Sequence, residues 1–549
     1  MSPTLYQVFT RLFGNDRKSL VPFGTKQQNG CGTMQDFTAK ALENIRSLGC
    51  THIWYTGIIA HATRTDHSDL GLPIDNPDVV KGEAGSPYAI RDYYDVDPDI
   101  ARDPSRRVRE FELLVERTHR AGLKVIIDFV PNHVSRQYRS LAKPSDVRDL
   151  GEDDDKSCAF SPQNNFYYLP GQSLCLDDIV PCSAYTEAPA RATGNDCFSP
   201  RPGRCDWYET VKLNYGVDVV GGRTGHFSPT PATWHKMLHI LLHWAAKGID
   251  GFRVDMAEMV PVEFWEWALP QVKERFPGII FIAEVYNPAL YRDYIRRGHF
   301  DYLYDKVGLY DTLLAVARGQ SAQSITACWQ AVDDIRGQML NFLENHDEQR
   351  LASNFLLGSG EAAVPALLVS SLMPSPFMLY FGQELGERGM DAEGFSGQDG
   401  RTSIFDYWSV PTIRRWRNGG RFDGKLLSSG EAALRELYCR ILALRQQEPC
   451  CGDGFYDLMY VNPHLHRQYA FMRHSGGKFA LIVSNFSASD EEISLSLPRH
   501  FFEHTGIRER ARRRLTDALS GRKLSLGITS AQPLRISLPA LSGVVLLSD

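Results

Sequence analysis

Short apolar runs alternate with amphipathic stretches from residue 4 to about residue 450 of the chain. Strand candidates, rich in β-branched and aromatic residues, lie at 4–13, 51–59, 123–130, 249–255, 279–285, 301–305, 339–345 and 376–382. Helical periodicity falls between them, for example at 34–49, 106–122, 234–248 and 430–447. Apolar strands separated by helices indicate an α/β protein with a parallel sheet, and eight such units favour a closed (β/α)₈ TIM barrel over an open sheet.

Two regions depart from this alternation. Residues 134–215 are polar and turn-rich, and so long a structureless loop is implausible in a compact domain, so we interpret them as a small domain inserted after strand three. Residues 451–549 hold short, turn-bounded β-rich runs such as KFALIVSNF, which predict a C-terminal antiparallel β-sandwich domain. The catalytic barrel is therefore expected in two parts, 1–133 and 216–450.

Composition and charge exclude several classes of protein. The 549 residues carry a formal net charge of −6, which offers no basic field for nucleic acid or an anionic membrane, and the basic run RERARRR at 508–514 is read as a solvated face. The most apolar stretch, near 362–373, is shorter than the ~20 residues that span a bilayer. The N-terminal MSPTLYQVFTRLF has no leader-like pattern, so we expect a cytoplasmic protein, or one whose leader has been removed. No oligomeric state is predicted.

The chain has eleven cysteines, and their spacings contain no CxxC pair. Five of them crowd into the proposed insertion: Cys158, Cys175, Cys182, Cys197 and Cys205. A disulfide cluster and a zinc site are both compatible with this crowding. Without a leader the reducing cytoplasm is the expected compartment, so we favour ordinary reduced thiols.

Polar residues cluster where four of the predicted strands end, which is where the active sites of (β/α)₈ barrels lie. They are Asp128, Asn132 and His133 after strand three, Arg253 and Asp255 after strand four, Glu284 after strand five, and Asn345, His346, Asp347 and Arg350 after strand seven. Asp128 is interpreted as a structural carboxylate, and Arg350 is assigned either to Asp347 or to a nearby loop. Three carboxylates, two histidines and an arginine are thus expected on one rim.

This set of side chains suits the cleavage of a glycosidic bond. That reaction needs a carboxylate nucleophile and a second carboxyl group that first donates a proton and then accepts one, with the two groups ~5–5.5 Å apart in retaining enzymes. Neighbouring barrel strands can supply that separation. The nucleophile must stay ionised, and Arg253, two residues before Asp255 on the same face of a strand, is expected to favour its ionised form.

The segments DFVPNH, GFRVDMAEM, IAEVY and ENHD, in this order at strand ends, resemble the four signature regions of the α-amylase family of glycoside hydrolases. The layout of barrel, insertion and terminal β domain is similar too, so the resemblance covers nearly the whole chain. It implies a retaining hydrolase for α-glucosidic bonds in starch-like glucans or maltooligosaccharides. A transglycosylase or phosphorylase with the same site is the alternative, because acceptor choice lies in loops. A non-catalytic barrel is disfavoured, since it would be expected to have lost a carboxylate.

The resemblance also implies roles for individual residues. Asp255 becomes the nucleophile, Glu284 the general acid/base and Asp347 the third catalytic carboxylate, which grips and distorts the reacting sugar. Substrate-binding roles fall on Tyr88, His133, Arg253 and His346. Tyr88 is nominated as a stacking platform by the segment SPYAIRDYY, although Ser86-Pro87 stands where the family often has His-Gly.

The calcium site of many α-amylases is only partly matched. Glu258-Met259 replaces the Lys-His that usually follows the nucleophile, and LNYGVD at 213–218 is a loose match to the family's fifth motif. Asn132 does match a calcium-ligand position, but a hard cation needs about six to eight oxygen ligands. We therefore predict no metal ligands and no cofactor for the chemistry. A structural calcium stays the alternative, also because GEDDDKS and NNFYY in the insertion are rich in oxygen ligands.

Overall fold

The structure is a computed structural model that describes residues 2–390, 394–448, 452 and 454–548. Up to residue 380 the strands are β1 (Thr4–Phe9), β2 (His52–Thr56), β3 (Ile59–His61), β4 (Ile90–Val96), β5 (Lys124–Phe129), β6 (His133–Ser135), β7 (Tyr168–Leu169), β8 (Ala190–Arg191), β9 (Thr210–Lys212), β10 (Val217–Asp218), β11 (Thr224–Gly225), β12 (Gly251–Val254), β13 (Ile280–Ala283), β14 (Tyr302–Tyr304), β15 (Met339–Phe342) and β16 (Phe377–Tyr380). The helices are α1 (Thr10–Phe13), α2 (Lys26–Asn29), α3 (Ala39–Arg46), α4 (Arg107–Arg120), α5 (Ala232–Ala245), α6 (Val262–Arg275), α7 (Tyr291–Arg296), α8 (Asp311–Ala317), α9 (Ser324–Ala331), α10 (Val364–Leu372), α11 (Pro411–Arg417), α12 (Ser429–Gln447) and α13 (Arg499–Thr505).

The predicted barrel is confirmed. Eight parallel strands close in the order β1-β2-β5-β12-β13-β14-β15-β16, and β16 pairs back onto β1. Fully buried side chains such as Leu5, Trp54, Ile126 and Met378 fill its interior. The helices cover the outside through apolar faces; in α4, Leu114 is buried on the face that meets the barrel. Because both faces of each strand are buried, the strands appear in the sequence as nearly continuous apolar runs.

The segments 4–13 and 34–49, each predicted as one element, are each divided into two elements in the structure. The strand predicted at 4–13 ends at Phe9, and Thr10–Phe13 form the short helix α1. This segment stays buried at the barrel end, so the apolar run continues past the last strand residue. The helix predicted at 34–49 is a 3₁₀ turn at Met34–Asp36 followed by α3, because Thr38 caps a new helix by accepting the Ala41 N–H.

Between β5 and α5 the chain leaves the barrel and forms short two-stranded ladders. β6 pairs with β9, β7 with β8, and β10 with β11. The first ladder places His133 opposite Lys212, so the insertion is anchored next to the end of β5. The five cysteines of this region are free thiols, as are the other four that the structure describes.

The C-terminal region is antiparallel, as predicted. Its strands are β17 (Gly454–Asp457), β18 (Gln468–Ser475), β19 (Lys478–Asn485), β20 (Glu491–Leu495), β21 (Arg510–Asp517), β22 (Lys523–Ile528), β23 (Leu534–Leu538) and β24 (Ser542–Ser548). Six of them form a sheet in the order β17-β18-β19-β24-β21-β22, and β20 pairs with β23. The boundary predicted between residues 450 and 451 lies outside the described residues. In the described part of the chain, no helix has the length and apolar character needed to span a membrane.

Candidate active site

The two carboxylates that are central to the predicted chemistry extend neighbouring strands of the barrel. The Asp255 N–H donates to the Phe129 carbonyl at 2.9 Å, which continues the β5–β12 ladder by one residue. The Glu284 N–H donates to the Val254 carbonyl at 3.1 Å, which does the same between β12 and β13. Asp255 and Glu284 are therefore each held at the first position beyond a strand, on the carboxyl-terminal rim of the barrel.

A cavity of about 270 Å³ opens at this rim. The barrel loops contribute the three predicted carboxylates to its wall, together with Tyr88 and His133. Trp207 of the insertion and Phe405 of the loop after β16 also line it. Hydroxyl-binding groups and flat aromatic rings thus surround the carboxylates, which is an arrangement suited to a sugar.

Arg253 lies beneath the cavity and connects its acids. The side chain is fully buried, and Nη1 lies 2.9 Å from Asp255 Oδ1 while Nη2 lies 2.7 Å from Glu284 Oε2. Nη1 is also 3.6 Å from Asp128 Oδ1, and Nε donates to the Tyr304 hydroxyl at 3.1 Å. One guanidinium therefore contacts the predicted nucleophile and the predicted acid/base at the same time.

Opposing effects act on the pKa of Asp255. Burial raises the pKa of Asp255 well above its ordinary value, and the charge of Arg253 lowers it only in part. The neighbouring Glu284 and Asp347 raise it further. Arg253 therefore favours the ionised form of Asp255, as the sequence suggested, whereas burial and the neighbouring carboxylates oppose it.

Glu284 has contacts on both of its oxygens. Oε2 accepts the backbone N–H of Met256 at 2.8 Å, in addition to its contact with Arg253. Oε1 lies 2.5 Å from the hydroxyl of Tyr286. Met256 has a positive φ of 43°, which is uncommon for a residue other than glycine. This local strain lies directly after Asp255, where the Met256 N–H reaches the neighbouring carboxylate.

Asp347 lies in the same wall beside His346. His346 Nε2 is 3.0 Å from Asp347 Oδ2 and 2.5 Å from the Tyr88 hydroxyl, while Gln7 donates to Nδ1 at 2.8 Å. Burial and the charge of Arg253 lower the pKa of His346 well below its ordinary value. Because Nδ1 accepts from Gln7, the neutral ring carries its proton on Nε2. Burial raises the pKa of Asp347.

His133 and Tyr88 complete the predicted set. Burial lowers the pKa of His133 to about 3, so this ring is neutral, and it packs against Trp207 with centroids 5.1 Å apart. The Tyr88 ring stacks on His346 at 5.0 Å. All seven side chains that the sequence nominated lie at this rim. Arg253 lies below the cavity, and the other six line the cavity or flank it.

The residues at the position where the family resemblance leaves a calcium ion possible have other partners. Asn132 Oδ1 accepts a hydrogen bond from Lys212 Nζ at 2.8 Å, and the same ammonium lies 2.6 Å from Asp196 Oδ1. Glu258, at the altered position after Asp255, accepts backbone N–H groups of residues 286 and 287. Within the residues that the structure describes, no group of three or more His, Cys, Asp or Glu side chains is arranged to hold a metal.

The acidic segment of the insertion and Arg350 have other partners. Asp154 accepts the backbone N–H groups of Asn165 and Phe166, at 2.7 and 3.0 Å. Arg350 forms a buried ion pair with Glu344 at 2.8 Å and donates to a backbone carbonyl after β16. Of its two predicted partners, the arginine therefore binds the neighbouring loop rather than Asp347.

Several residues of the site were not nominated from the sequence. Tyr286 was within reach, because it lies two residues after Glu284 in the quoted segment IAEVY. Trp207 and Phe405 lie in irregular segments without a motif, and Gln7 is 339 residues from its partner His346. Nothing in the local sequence pattern connects these residues to the rim.

Fold and site together define the class: a (β/α)₈-barrel protein with a carboxylate-lined cleft at the carboxyl ends of its strands. The family model of the α-amylase catalytic domain matches residues 7–406, so the chain belongs to the α-amylase family. Solved structures share the fold. A maltogenic α-amylase AmyB from Thermotoga neapolitana aligns over 99% of this chain and 98% of its own, with a TM-score of 0.62 and 19% identity. An α-amylase from H. orenii covers 100% and 99%, with a TM-score of 0.64 and 19% identity.

Relatives by sequence are distant. The α-amylase MalA of Haloarcula japonica is 24% identical over 393 residues, which are 70% of this chain but only 44% of the relative. The cyclomaltodextrinase of Thermoanaerobacter pseudethanolicus is 23% identical over 517 residues, or 90% of this chain and 71% of that protein. The chain spans less than two thirds of the length of the first relatives that it matches.

Proposed function

We propose that the chain is a retaining glycoside hydrolase that cleaves α-glucosidic bonds in starch-like glucans or maltooligosaccharides. Asp255 is the nucleophile, Glu284 the general acid/base and Asp347 the third catalytic carboxylate. The observation that carries this proposal is the single guanidinium of Arg253 in contact with both Asp255 and Glu284 at the base of one cavity. The family membership and the names of the relatives, among them a cyclomaltodextrinase and a neopullulanase, support an α-glucan as substrate.

In the first step Asp255 attacks the anomeric carbon, and Glu284 gives its proton to the glycosidic oxygen as that bond breaks. In the second step Glu284 takes a proton from water, whose oxygen displaces Asp255, so both carboxyl groups return to their starting state. Buried acids that lie this close share protons and titrate as a unit. A bound glycosidic oxygen favours the proton on Glu284, and positive charge at the anomeric carbon favours an ionised Asp255.

The remaining contacts suit the reacting sugar. His133 and His346 are neutral, and a neutral ring can donate to a hydroxyl group without placing a second positive charge beside Arg253. Asp347 is held by the Nε2 side of His346 and faces the cavity, where it can accept from sugar hydroxyls. Such contacts accelerate the reaction to the extent that they strengthen as the ring flattens.

Proton NMR of the first product from maltoheptaose tests the stereochemistry and the reaction class. A retaining hydrolase releases the α anomer before mutarotation and produces no chains longer than the substrate. Release of the β anomer would contradict Asp255 as a nucleophile. Early formation of longer chains would instead favour the transglycosylase alternative, and phosphorolysis would show as a phosphate-dependent sugar phosphate.

Glu284→Gln tests the acid/base assignment. The variant should lose at least ~100-fold in kcat/KM on maltooligosaccharides but much less on an aryl α-glucoside with a good leaving group, which needs little protonation. The exposed Glu274→Gln variant on α6 is a matched control that should behave as wild type. Equal losses on both substrates would contradict the assignment when glycosylation limits the rate.

A further inference from the structure

Tyr286 is the unassigned side chain in closest contact with the acid/base carboxylate. Its hydroxyl lies 2.5 Å from Glu284 Oε1, and no other side chain of the described chain bonds that oxygen. Burial and the adjacent Glu284 raise the pKa of Tyr286 well above its ordinary value, so the phenol keeps its proton throughout the working pH range. A phenol can both donate and accept, depending on how its O–H bond turns.

The two oxygens of Glu284 are not equivalent as places for the catalytic proton. Oε2 accepts the Met256 N–H at 2.8 Å, and the charged Nη2 of Arg253 lies 2.7 Å from it. A proton on Oε2 would face these donors without an acceptor. The proton of the acid form therefore belongs on Oε1, whose neighbour is the Tyr286 hydroxyl.

Tyr286 is itself held by a residue next to the nucleophile. Glu258 Oε2 accepts the Tyr286 N–H at 3.1 Å and the Asn287 N–H at 2.9 Å. Glu258 lies in the 3₁₀ turn Ala257–Met259, three residues after Asp255. The loop that follows Glu284 is thus tied to the loop that follows Asp255 by one carboxylate.

We propose that Tyr286 is a positioning residue that binds Glu284 Oε1 in both of its protonation states, and that Glu258 holds Tyr286 in place for this task. The inference rests on the proposed role of Glu284 as acid/base. In the acid form, the Oε1–H group of Glu284 donates to the Tyr286 oxygen until a glycosidic oxygen replaces that oxygen as the acceptor. After proton transfer to the leaving group, the Tyr286 O–H turns and donates to the new carboxylate.

The expected effect on pH dependence follows from the strength of these bonds. A hydrogen bond to a carboxylate is stronger than one to a neutral acid, so Tyr286 favours the ionised form of its partner. Tyr286→Phe keeps the ring and removes the hydroxyl. The alkaline limb of the kcat/KM profile, which reports loss of the acid's proton, should then move upward by about one pH unit. Turnover of maltooligosaccharides should fall about tenfold, and that of an activated aryl glucoside should change little.

Tyr294→Phe is the matched control. Its hydroxyl donates to the Val260 carbonyl at 2.7 Å, close to the same loops but outside the cavity, so its pH profile should match wild type. Glu258→Ala should move the alkaline limb in the same direction as Tyr286→Phe but by less, because the loop is freed while the hydroxyl remains. Glu258→Gln should restore the wild-type profile, since the amide oxygen accepts the same N–H groups.

Infrared difference titration supplies a readout that needs no turnover. The carboxyl C=O band that disappears in Glu284→Gln belongs to Glu284, and its titration midpoint should move upward in Tyr286→Phe and stay in place in Tyr294→Phe. An unmoved midpoint together with an unmoved alkaline limb in Tyr286→Phe would overturn the inference. Equal losses of turnover on both substrates would also contradict it, because a hydroxyl that positions the acid should matter little for an activated leaving group. If the wild-type protein cleaves no α-glucan but the midpoint moves, the proposed function fails and the contact between Tyr286 and Glu284 stands.

Discussion

At the scale of single residues, the site is a concentration of acid around one cation. Asp128, Asp255 and Glu284 all approach the Arg253 guanidinium, and only two of these contacts are shorter than 3 Å. Burial raises the pKa of Asp128 to about 7 and that of Asp255 well above its ordinary value. Ionising these acids is therefore costly in the free site, and the positive charge that develops at the anomeric carbon in the transition state would offset that cost.

Asp255→Asn should abolish turnover without unfolding the protein. An amide has nearly the shape of the carboxylate but cannot attack the anomeric carbon, so kcat should fall by far more than ~100-fold. Because ionised Asp255 is costly in this buried setting, the melting temperature at pH 7 should be equal to that of wild type or higher. Steady-state kinetics and calorimetry check both statements.

The exposed Asp293→Asn variant on α7 serves as the control for this substitution and should match wild type in both measurements. A loss in turnover smaller than about a hundredfold would argue against Asp255 as the nucleophile. A large drop in melting temperature would mean that the Asp255–Arg253 ion pair stabilises the fold rather than the reaction.

At the scale of secondary structure elements, the strand ends bring polar groups to a buried rim. The end of β14 is an example that lies outside the three catalytic carboxylates. Asp305 follows β14, and its carboxylate accepts the Leu309 N–H at 2.7 Å, which caps the π-helical turn Lys306–Tyr310. Burial raises the pKa of Asp305 to about 6, and no lysine, arginine or histidine of the described residues forms an ion pair with it.

Asp305→Asn should therefore change how stability depends on pH. The folded-state pKa is raised above its ordinary value of 3.8, so the stability that the proton contributes is present below about pH 4 and is lost as the pH rises through about 6. Asn keeps the acceptor for the Leu309 N–H and does not titrate. Relative to wild type, the variant should gain about 2 kcal/mol in the free energy of unfolding between pH 4 and pH 7. Urea unfolding at the two pH values measures this gain, and a pH-independent difference would contradict it.

At the scale of the whole molecule, the insertion after β5 is held against the barrel where a calcium ion was considered. Lys212 of β9 bridges Asn132, from the loop between β5 and β6, and Asp196 of the insertion. Arg223 also binds Asp196, at 2.8 Å. Burial lowers the pKa of Lys212, while Asp196 raises it in turn. The ammonium group of Lys212 thus supplies the positive charge between these oxygen atoms, which is the role that a calcium ion would have at this junction.

Dialysis against EDTA should leave the melting temperature unchanged, and added calcium should not raise it. A structural calcium bound only to the folded state would stabilise by RT ln(1 + [L]/Kd), about 4 kcal/mol at a thousandfold excess over Kd, and its removal would be visible. Lys212→Met should lower the melting temperature by a few degrees, because it removes the donor that the buried Asn132 amide oxygen shares with Asp196, which keeps only Arg223.

The exposed Lys478→Met variant is the control for this loss of a lysine and should melt like wild type. A loss of stability after EDTA that calcium restores would contradict the assignment of this junction to Lys212. Rescue of Lys212→Met by calcium would show that the site accepts a metal once the ammonium is gone.

The barrel and the identity of its acids could be predicted from the sequence because both depend on local patterns. A strand buried on both faces must be apolar along its length, so eight such runs were recognisable without any structure. Asp255 and Glu284 stand at the ends of two of these runs and Asp347 lies shortly after a third, and strands that are parallel in a barrel bring their ends to one rim. The C-terminal antiparallel domain was recognisable from the same kind of local signal.

What only the tertiary structure decided is set by barrel closure and by burial. Closure brings Gln7 to His346 and Lys212 to Asn132, contacts 339 and 80 residues apart that leave no local trace in the sequence. The raised pKa of Asp255 also results from its burial among other acids. The sequence shows the nearby arginine but does not show this burial. Local sequence determines which residues end each strand, whereas the distances, partners and charges that give these residues their chemistry arise when distant segments pack together.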